Sequence, residues 1–220
     1  GANAQDQIIY EDFEGGTADL GWQASAGNGT YNGVIANPGP DAVNGSAFVG
    51  SYTKGATGYS LFWDPALAQP LDMTTYNQFK LKVWCATATP VLLKFEGTGP
   101  AIEKTAVMPA ANQWVELTFE MSAAEFYTGL TKVIIFFDPG NDASTPTYYF
   151  DDLRAVKAPQ DVETFEVPSG INWTSLNGAY NGAIANPGPD GVNGSATVGS
   201  FTNNPAFDYN FAFGTLSAPL

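Results

Sequence analysis

The sequence predicts an all-β protein, a two-sheet β-sandwich of jelly-roll type, present as one complete module plus the N-terminal part of a second copy. Several segments alternate apolar and polar residues with period two, and none sustains the 3.6-residue period of a helix. The 24 Gly and 15 Pro supply the turns that many short strands need. A 23-residue segment also occurs twice, as Tyr31–Thr53 and Tyr180–Thr202, with differences at only four positions.

The match continues beyond that segment. Phe62 and Leu67 meet Phe211 and Leu216 at the same offset of 149, and Glu11, Phe13 and Glu14 recur as Glu163, Phe165 and Glu166 at an offset of 152. A period near 150 exceeds the roughly 20–50 residues of a solenoid unit and fits autonomous domains in series. The predicted organisation is an N-terminal tail over 1–7, a module over 8–156, a linker over 157–160 and a partial second copy over 161–220. The chain therefore reads as a piece of a longer protein. A sandwich left unfinished has open strand edges, to be covered by the first copy, by a neighbouring chain, or by distortion.

The strands follow in order. Phe79, Leu81, Val83 and Cys85 share one face of their segment, with Lys80, Lys82 and Trp84 on the other. Residues 91–96 and 132–137 are apolar enough for central strands. In Trp114–Met121, alternation buries Val115, Leu117, Phe119 and Met121 and turns Trp114, Glu116, Thr118 and Glu120 outward. Ser122 and Glu125 have capping-box spacing for one helical turn. Tyr148–Leu153 closes the first module.

Charge and composition exclude several functions. With 22 acidic against 8 basic residues, the net charge of −14 argues against nucleic acid, whose phosphates need a basic patch. The chain has no histidine and one arginine, Arg154, so acyl transfer lacks its usual base and zinc its usual ligands. Cys85 is the sole cysteine, sits in an apolar run and reads as a small buried hydrophobe. No apolar stretch approaches the roughly 20 residues of a membrane span. The start, Gly1-Ala2-Asn3-Ala4-Gln5, is similar to the tail of a signal-peptide cleavage site, which suggests export.

Asp12-Phe13-Glu14 at the end of an opening strand, the turn Asn44-Gly45-Ser46, and the closing strand Tyr148–Leu153 resemble β-jelly-roll carbohydrate-binding modules. More closely, the chain resembles tandem repeats of this type in secreted and surface proteins of marine Bacteroidetes. The resemblance implies a structural calcium ion where the first and last strands meet. Its ligands would be Glu14 and Asp151, with backbone oxygens near Asp12 and Asn44. The loop 138–142 is a second, weaker candidate, otherwise a solvated turn.

A sugar ring stacks on an exposed aromatic side chain while polar neighbours bind its hydroxyls. Alternation places Trp84 beside Lys82, and the next strand offers Lys94 and Glu96 on its outer face. Trp114 is a further platform candidate, although either indole could instead pack beneath a loop. Trp63 corresponds to Ala212 in the second copy, so the fold does not demand an indole there and Trp63 is a further ligand-binding candidate. The leading expectation is a non-catalytic module that binds a polysaccharide or cell-surface glycan within a larger secreted or cell-surface protein. The alternative is a structural repeat of an extracellular adhesin, stalk or filament, whose partners are other copies of the module joined by strand complementation.

Overall fold

The computed structural model describes residues 6–157, 165, 171–189 and 193–216. The chain divides into two units, Gly1–Ala158 and Pro159–Leu220.

The first unit has eleven strands: β1 (Gln7–Glu11), β2 (Gln23–Ala24), β3 (Gly29–Ala36), β4 (Phe48–Lys54), β5 (Leu61–Asp64), β6 (Gln78–Cys85), β7 (Pro90–Gly97), β8 (Ile102–Val107), β9 (Val115–Glu120), β10 (Leu130–Phe137) and β11 (Thr147–Val156). All pairings are antiparallel. One sheet runs β3-β4-β11-β6-β9, with β1 also on β11, and the other runs β2-β5-β10-β7-β8. This is the predicted two-sheet sandwich. Alternation produces it directly: β6 and β9 bury every second residue, as predicted, and Cys85 is fully buried.

The core is aromatic. Tyr52, Phe137 and Phe150 crowd around Phe62, with Tyr52–Phe62 at 4.5 Å between ring centres, and Tyr148 stacks on Phe137 at 4.2 Å. Each such buried ring contributes about 2–3 kcal/mol from the water it leaves. Phe13 lies edge-on to Phe150 at 5.3 Å. Its ring presses so closely on Gly50 that a Cβ there would stand 2.5 Å from it. Only glycine admits this approach.

Glu11 ends β1 with a fully buried carboxylate. Its Oε1 accepts the backbone N–H groups of Phe13 and Asp19, and its Oε2 accepts Leu20 N–H and Trp22 Nε1–H, all at 2.9–3.1 Å. Burial raises its pKa above the ordinary carboxylate value, while these four hydrogen bonds pull it back. Lys54, equally enclosed, donates to the carbonyls of Gly55, Thr57, Asn141 and Ser144 and so joins two loops. The 138–142 segment thus receives its positive charge from a lysine. The turn at Ser122–Ala124 is 3-10, not a capped helix. Ser122 N–H bonds back to Glu120, so the capping box does not form.

The second unit pairs β12 (Ile171–Leu176) with β15 (Phe211–Leu216), and β13 (Ala179–Ala185) with β14 (Thr197–Thr202). The latter hairpin has the same form as β3–β4, including a bulge whose glycine has positive φ, +87° at Gly33 and +82° at Gly182. Phe165 presses on Gly199 as Phe13 does on Gly50. The difference is coverage: Phe62 and Tyr52 are fully buried, whereas their counterparts Phe211 and Phe201 are 41% and 37% exposed.

Replacing Glu11 with alanine leaves four buried donors unsatisfied and should cost about 3 kcal/mol or more of unfolding free energy. Glu11→Gln, which keeps one acceptor oxygen, should cost less. Urea unfolding measures both, and an alanine variant as stable as the parent would refute the anchoring role.

Candidate functional site

The outer face of the β2-β5-β10-β7-β8 sheet carries a groove of about 570 Å³. Strand register builds it in rows. Trp63 stands opposite Ile134, which stands opposite Lys94, which stands opposite Glu103. The next row is Leu61, Phe136 and Leu92, and Lys132 pairs with Glu96 on the other side. Tyr59, 75% exposed, and Pro139 line the groove from loops. Gly140 N–H donates to Gly58 O at 2.8 Å, so the two loops are joined there. The floor is thus apolar, one side carries Trp63, and charged groups lie across it.

Those charges are paired among themselves. Lys94 Nζ lies 2.9 Å from Glu96 and 3.8 Å from Glu103, and Lys132 Nζ lies 3.3 Å from Glu96. Lys132 also sits 5.8 Å from the centre of the Trp63 ring. Its hydrogen bond to Lys94 holds Glu96 below the usual carboxylate range, and the same bond raises Lys94. Both are ionised at neutral pH. The groove is therefore rigid in charge and close to neutral.

The structure brings three of the six expected ligand residues together here: Trp63, Lys94 and Glu96. Trp84 and Lys82 lie elsewhere. Strands β6 and β7 are consecutive in sequence but belong to opposite sheets, so Trp84 and Lys94 face away from the protein in opposite directions. The single Trp84–Lys82–Lys94 strip expected from alternation does not exist. Trp84 pairs with Tyr149 across strands at 5.4 Å, and Lys82 forms an ion pair with Asp152. Trp114 is corrected too. It precedes β9, is 1% exposed, and lies under the loop after β3, with Nε1–H donating to Asn37 and N–H to Asp41. Alternation gives no pointer to three polar groove residues: Tyr59, on a loop, Lys132, at the start of an otherwise apolar run, and Glu103, opposite Lys94.

The expected calcium ligands assemble only in part. Along one edge of β11, β4 pairs through Phe150 and β1 pairs from Leu153 onward. Asp151 sits at that junction, beside a bulge where Asp152 has φ of +50°. Asp151 is fully buried. One carboxylate oxygen accepts Asp152 N–H; the Ser46 and Asn44 side chains stand close enough to lower the pKa of the group, but the other oxygen makes no hydrogen bond of good geometry. Asn44 is also buried and lies beside it, but its Oδ1 accepts Ser46 N–H, and the amide nitrogen is without a partner. Glu14 is exposed on a 3-10 turn, and Asp12 spends Oδ1 on Glu14 N–H. The buried carboxylate of this segment is Glu11 instead. One open carboxylate oxygen is far short of the six to eight that calcium takes. No cluster of three or more acidic, histidine or cysteine residues suited to a metal occurs among the described residues. Glu166, the expected counterpart of Glu14, lies outside the described residues.

Neither a family model nor a curated protein matches the sequence significantly. Solved structures do resemble it in fold. A family 11 carbohydrate-binding module from Clostridium thermocellum, in complex with a β-1,3-1,4-mixed-linked tetrasaccharide, aligns over 72% of this chain and 100% of its own with a TM-score of 0.51 at 8% identity. A family 27 module from Caldicellulosiruptor saccharolyticus, in complex with mannohexaose, covers 72% and 100% with a TM-score of 0.50 at 11% identity. An exo-β-agarase matches over 71% of this chain and 27% of its own, with a TM-score of 0.53 at 11% identity. The likeness is one of fold, the jelly-roll β-sandwich.

Burial dominates at Asp151 and pushes its pKa from 3.8 up to about 6. The folded state then holds a proton that the unfolded state releases between those values, so the stability this one group contributes is full below pH 3.8 and is lost as pH rises through 6. Asp41, Asp72 and Glu96, held low, act with the opposite sign, so the comparison is between parent and Asp151→Asn. In chelator, the melting temperature of the parent relative to that of the variant should drop over this interval, and a difference that stays flat or rises would contradict the assignment.

Proposed function

We propose that the first unit is a non-catalytic carbohydrate-binding module of a secreted or cell-surface protein, and that a polysaccharide lies along the groove bounded by Trp63. The carrying observation is the groove itself: an apolar floor, an indole on one side, an exposed tyrosine at a loop, and ion-paired polar groups that are already oriented. A pyranose presents an apolar face to the indole and hydroxyls to the group of two lysines, Lys94 and Lys132, and two carboxylates, Glu96 and Glu103. Because those charges neutralise one another, a neutral glycan suits the groove better than a polyanion. The fold, shared with modules solved with a mixed-linked tetrasaccharide and with mannohexaose, supports this reading.

The carboxylates argue for binding rather than catalysis. A glycosidase needs an acid with a raised pKa beside its substrate. Here Glu96, in the groove, is lowered, while the raised carboxylates, Glu11 and Asp151, are sealed in the interior. Among the described residues no helix is long and apolar enough to cross a membrane.

Calcium at Asp151 remains a proposal resting on one buried carboxylate oxygen that makes no hydrogen bond of good geometry, beside Ser46 and Asn44. Calcium added at pH 7 should raise the melting temperature of the parent and leave Asp151→Asn unmoved. Equal responses would dismiss it. The structural-repeat reading finds support in the second unit, where Phe207, Tyr209, Phe211 and Phe213 are 41–68% exposed and suit coverage by strands of another copy.

Affinity electrophoresis through mixed-linkage glucan, mannan, xylan and agarose tests the groove. The parent should be retarded by at least one, and Trp63→Ala should weaken that binding about tenfold or more with an unchanged melting temperature. Absence of retardation on all four would sink the reading.

A further inference from the structure

The opposite face of the sandwich carries a second arrangement of the same chemical kind, built from other residues. In the β3-β4-β11-β6-β9 sheet, Ser51, Tyr149 and Trp84 form one row across β4, β11 and β6. This row spans about 10 Å at ordinary strand spacing. Tyr149 and Trp84 are both half-buried, with ring centres 5.4 Å apart and planes inclined at 41°. They form a shallow aromatic V, with part of each ring open to solvent.

Beside this pair runs a ladder of neutral hydrogen-bonding groups. Asn32 is exposed at the β3 bulge, and its amide donates to Ser51 Oγ at 3.1 Å and to Thr53 Oγ1 at 3.0 Å. Thr53 Oγ1 in turn meets Thr147 Oγ1 at 3.0 Å. The bulge is what turns Asn32 onto this face, since it inserts a residue between the Tyr31 and Gly33 pairings. Amide and hydroxyls hold one another in place and keep spare donor and acceptor capacity toward solvent.

On the other side of the aromatic pair the charges balance. Lys82 is paired with Asp152 and Arg154 with Glu116 at 2.6 Å, while Lys80 donates to Thr118 Oγ1 and Glu120 lies on the same outer row of β9. With three cations against three carboxylates, the face offers no net charge to attract a polyanion. It offers two rings and a row of neutral polar groups.

We infer that this face is a second glycan-binding surface, taking a neutral polyhydroxyl chain with sugar rings on Trp84 and Tyr149 and sugar hydroxyls on the Asn32–Thr53–Thr147 ladder. The amide–hydroxyl part recurs in the second unit, where Asn181 donates to Ser200 at 3.2 Å and to Thr202 at 2.8 Å. Trp63 of the groove, by contrast, corresponds to Ala212. The two surfaces use different residues on opposite sheets, so each stands or falls separately. Together they would let one module bridge two polysaccharide chains.

The test follows the indole N–H signals of the full chain by NMR. The mixed-linked tetrasaccharide, xylohexaose and mannohexaose are titrated into the parent, Trp63→Ala, Trp84→Ala and Tyr149→Ala. The expected result is saturable movement of the Trp84 signal with at least one of the three, persisting in Trp63→Ala and weakened about tenfold or more in Tyr149→Ala. Thr53→Val, which preserves shape on the surface, should also weaken it while the melting temperature holds. Movement of the Trp63 signal alone would overturn the second surface and leave the groove standing. Movement of Trp84 alone would do the reverse, and silence at both would remove both. Sedimentation provides the remaining arm. A dimer that Trp84→Ala dissociates would overturn the inference, because the face would then seat a second copy of the chain.

Discussion

The Glu11 carboxylate organises the first unit. Strand β1 lies in one sheet and β2 in the other, and the segment between them has little regular structure. Glu11 gathers that segment's N–H groups onto two oxygens, from Phe13 N to Trp22 Nε1. Because a buried carboxylate is tolerable only when fully hydrogen-bonded, the loop and the charge depend on each other. With the loop so held, Phe13 can settle on Gly50 and Trp22 can pack 5.0 Å from Phe62 and 5.6 Å from Phe150. The aromatic core that spaces the two sheets is thereby closed at one end.

From that spacing come two outer faces of different character. One is a groove with an apolar floor and two lysines balanced by two glutamates. The other is flatter, with an aromatic pair and a chain of amide and hydroxyl contacts. Each is built from residues at period two whose neighbours fill the core, so the surfaces inherit their rigidity from the packing behind them. Lys54 extends this to the loops. By joining residues 55–57 to residues 141–144, it steadies the turns that carry Tyr59 and Pro139 to the groove.

Inside and outside were legible in the sequence, because apolar alternation in β6, β7 and β9 is a local property. Which sheet a strand joins was not. Alternation turns both Trp84 and Lys94 outward, as they are, yet they belong to opposite faces, because the chain crosses the sandwich between β6 and β7. Trp114 shows a second limit. Alternation was extended one residue past the start of β9, into a position governed by a long-range cover from Asn37 and Asp41. Glu11 recurs as Glu163, a signal that was available. Its role was hidden because the resemblance pointed to Glu14, three residues on, which the turn leaves in solvent. Lys54 gives no local sign, since two of its four carbonyl partners, Asn141 and Ser144, lie some ninety residues away.

The pairing of β1 with β11 has a mechanical consequence. Gln7 stands opposite Val156, so the chain enters and leaves this unit at the same end of two antiparallel neighbours. Tension applied through both ends would load the rungs one after another, starting at Gln7–Val156, rather than all together in shear. Strands peeled in this way yield at low force. A unit so wired would open from its own termini, and β1, the strand that ends in Glu11, would be the first to leave.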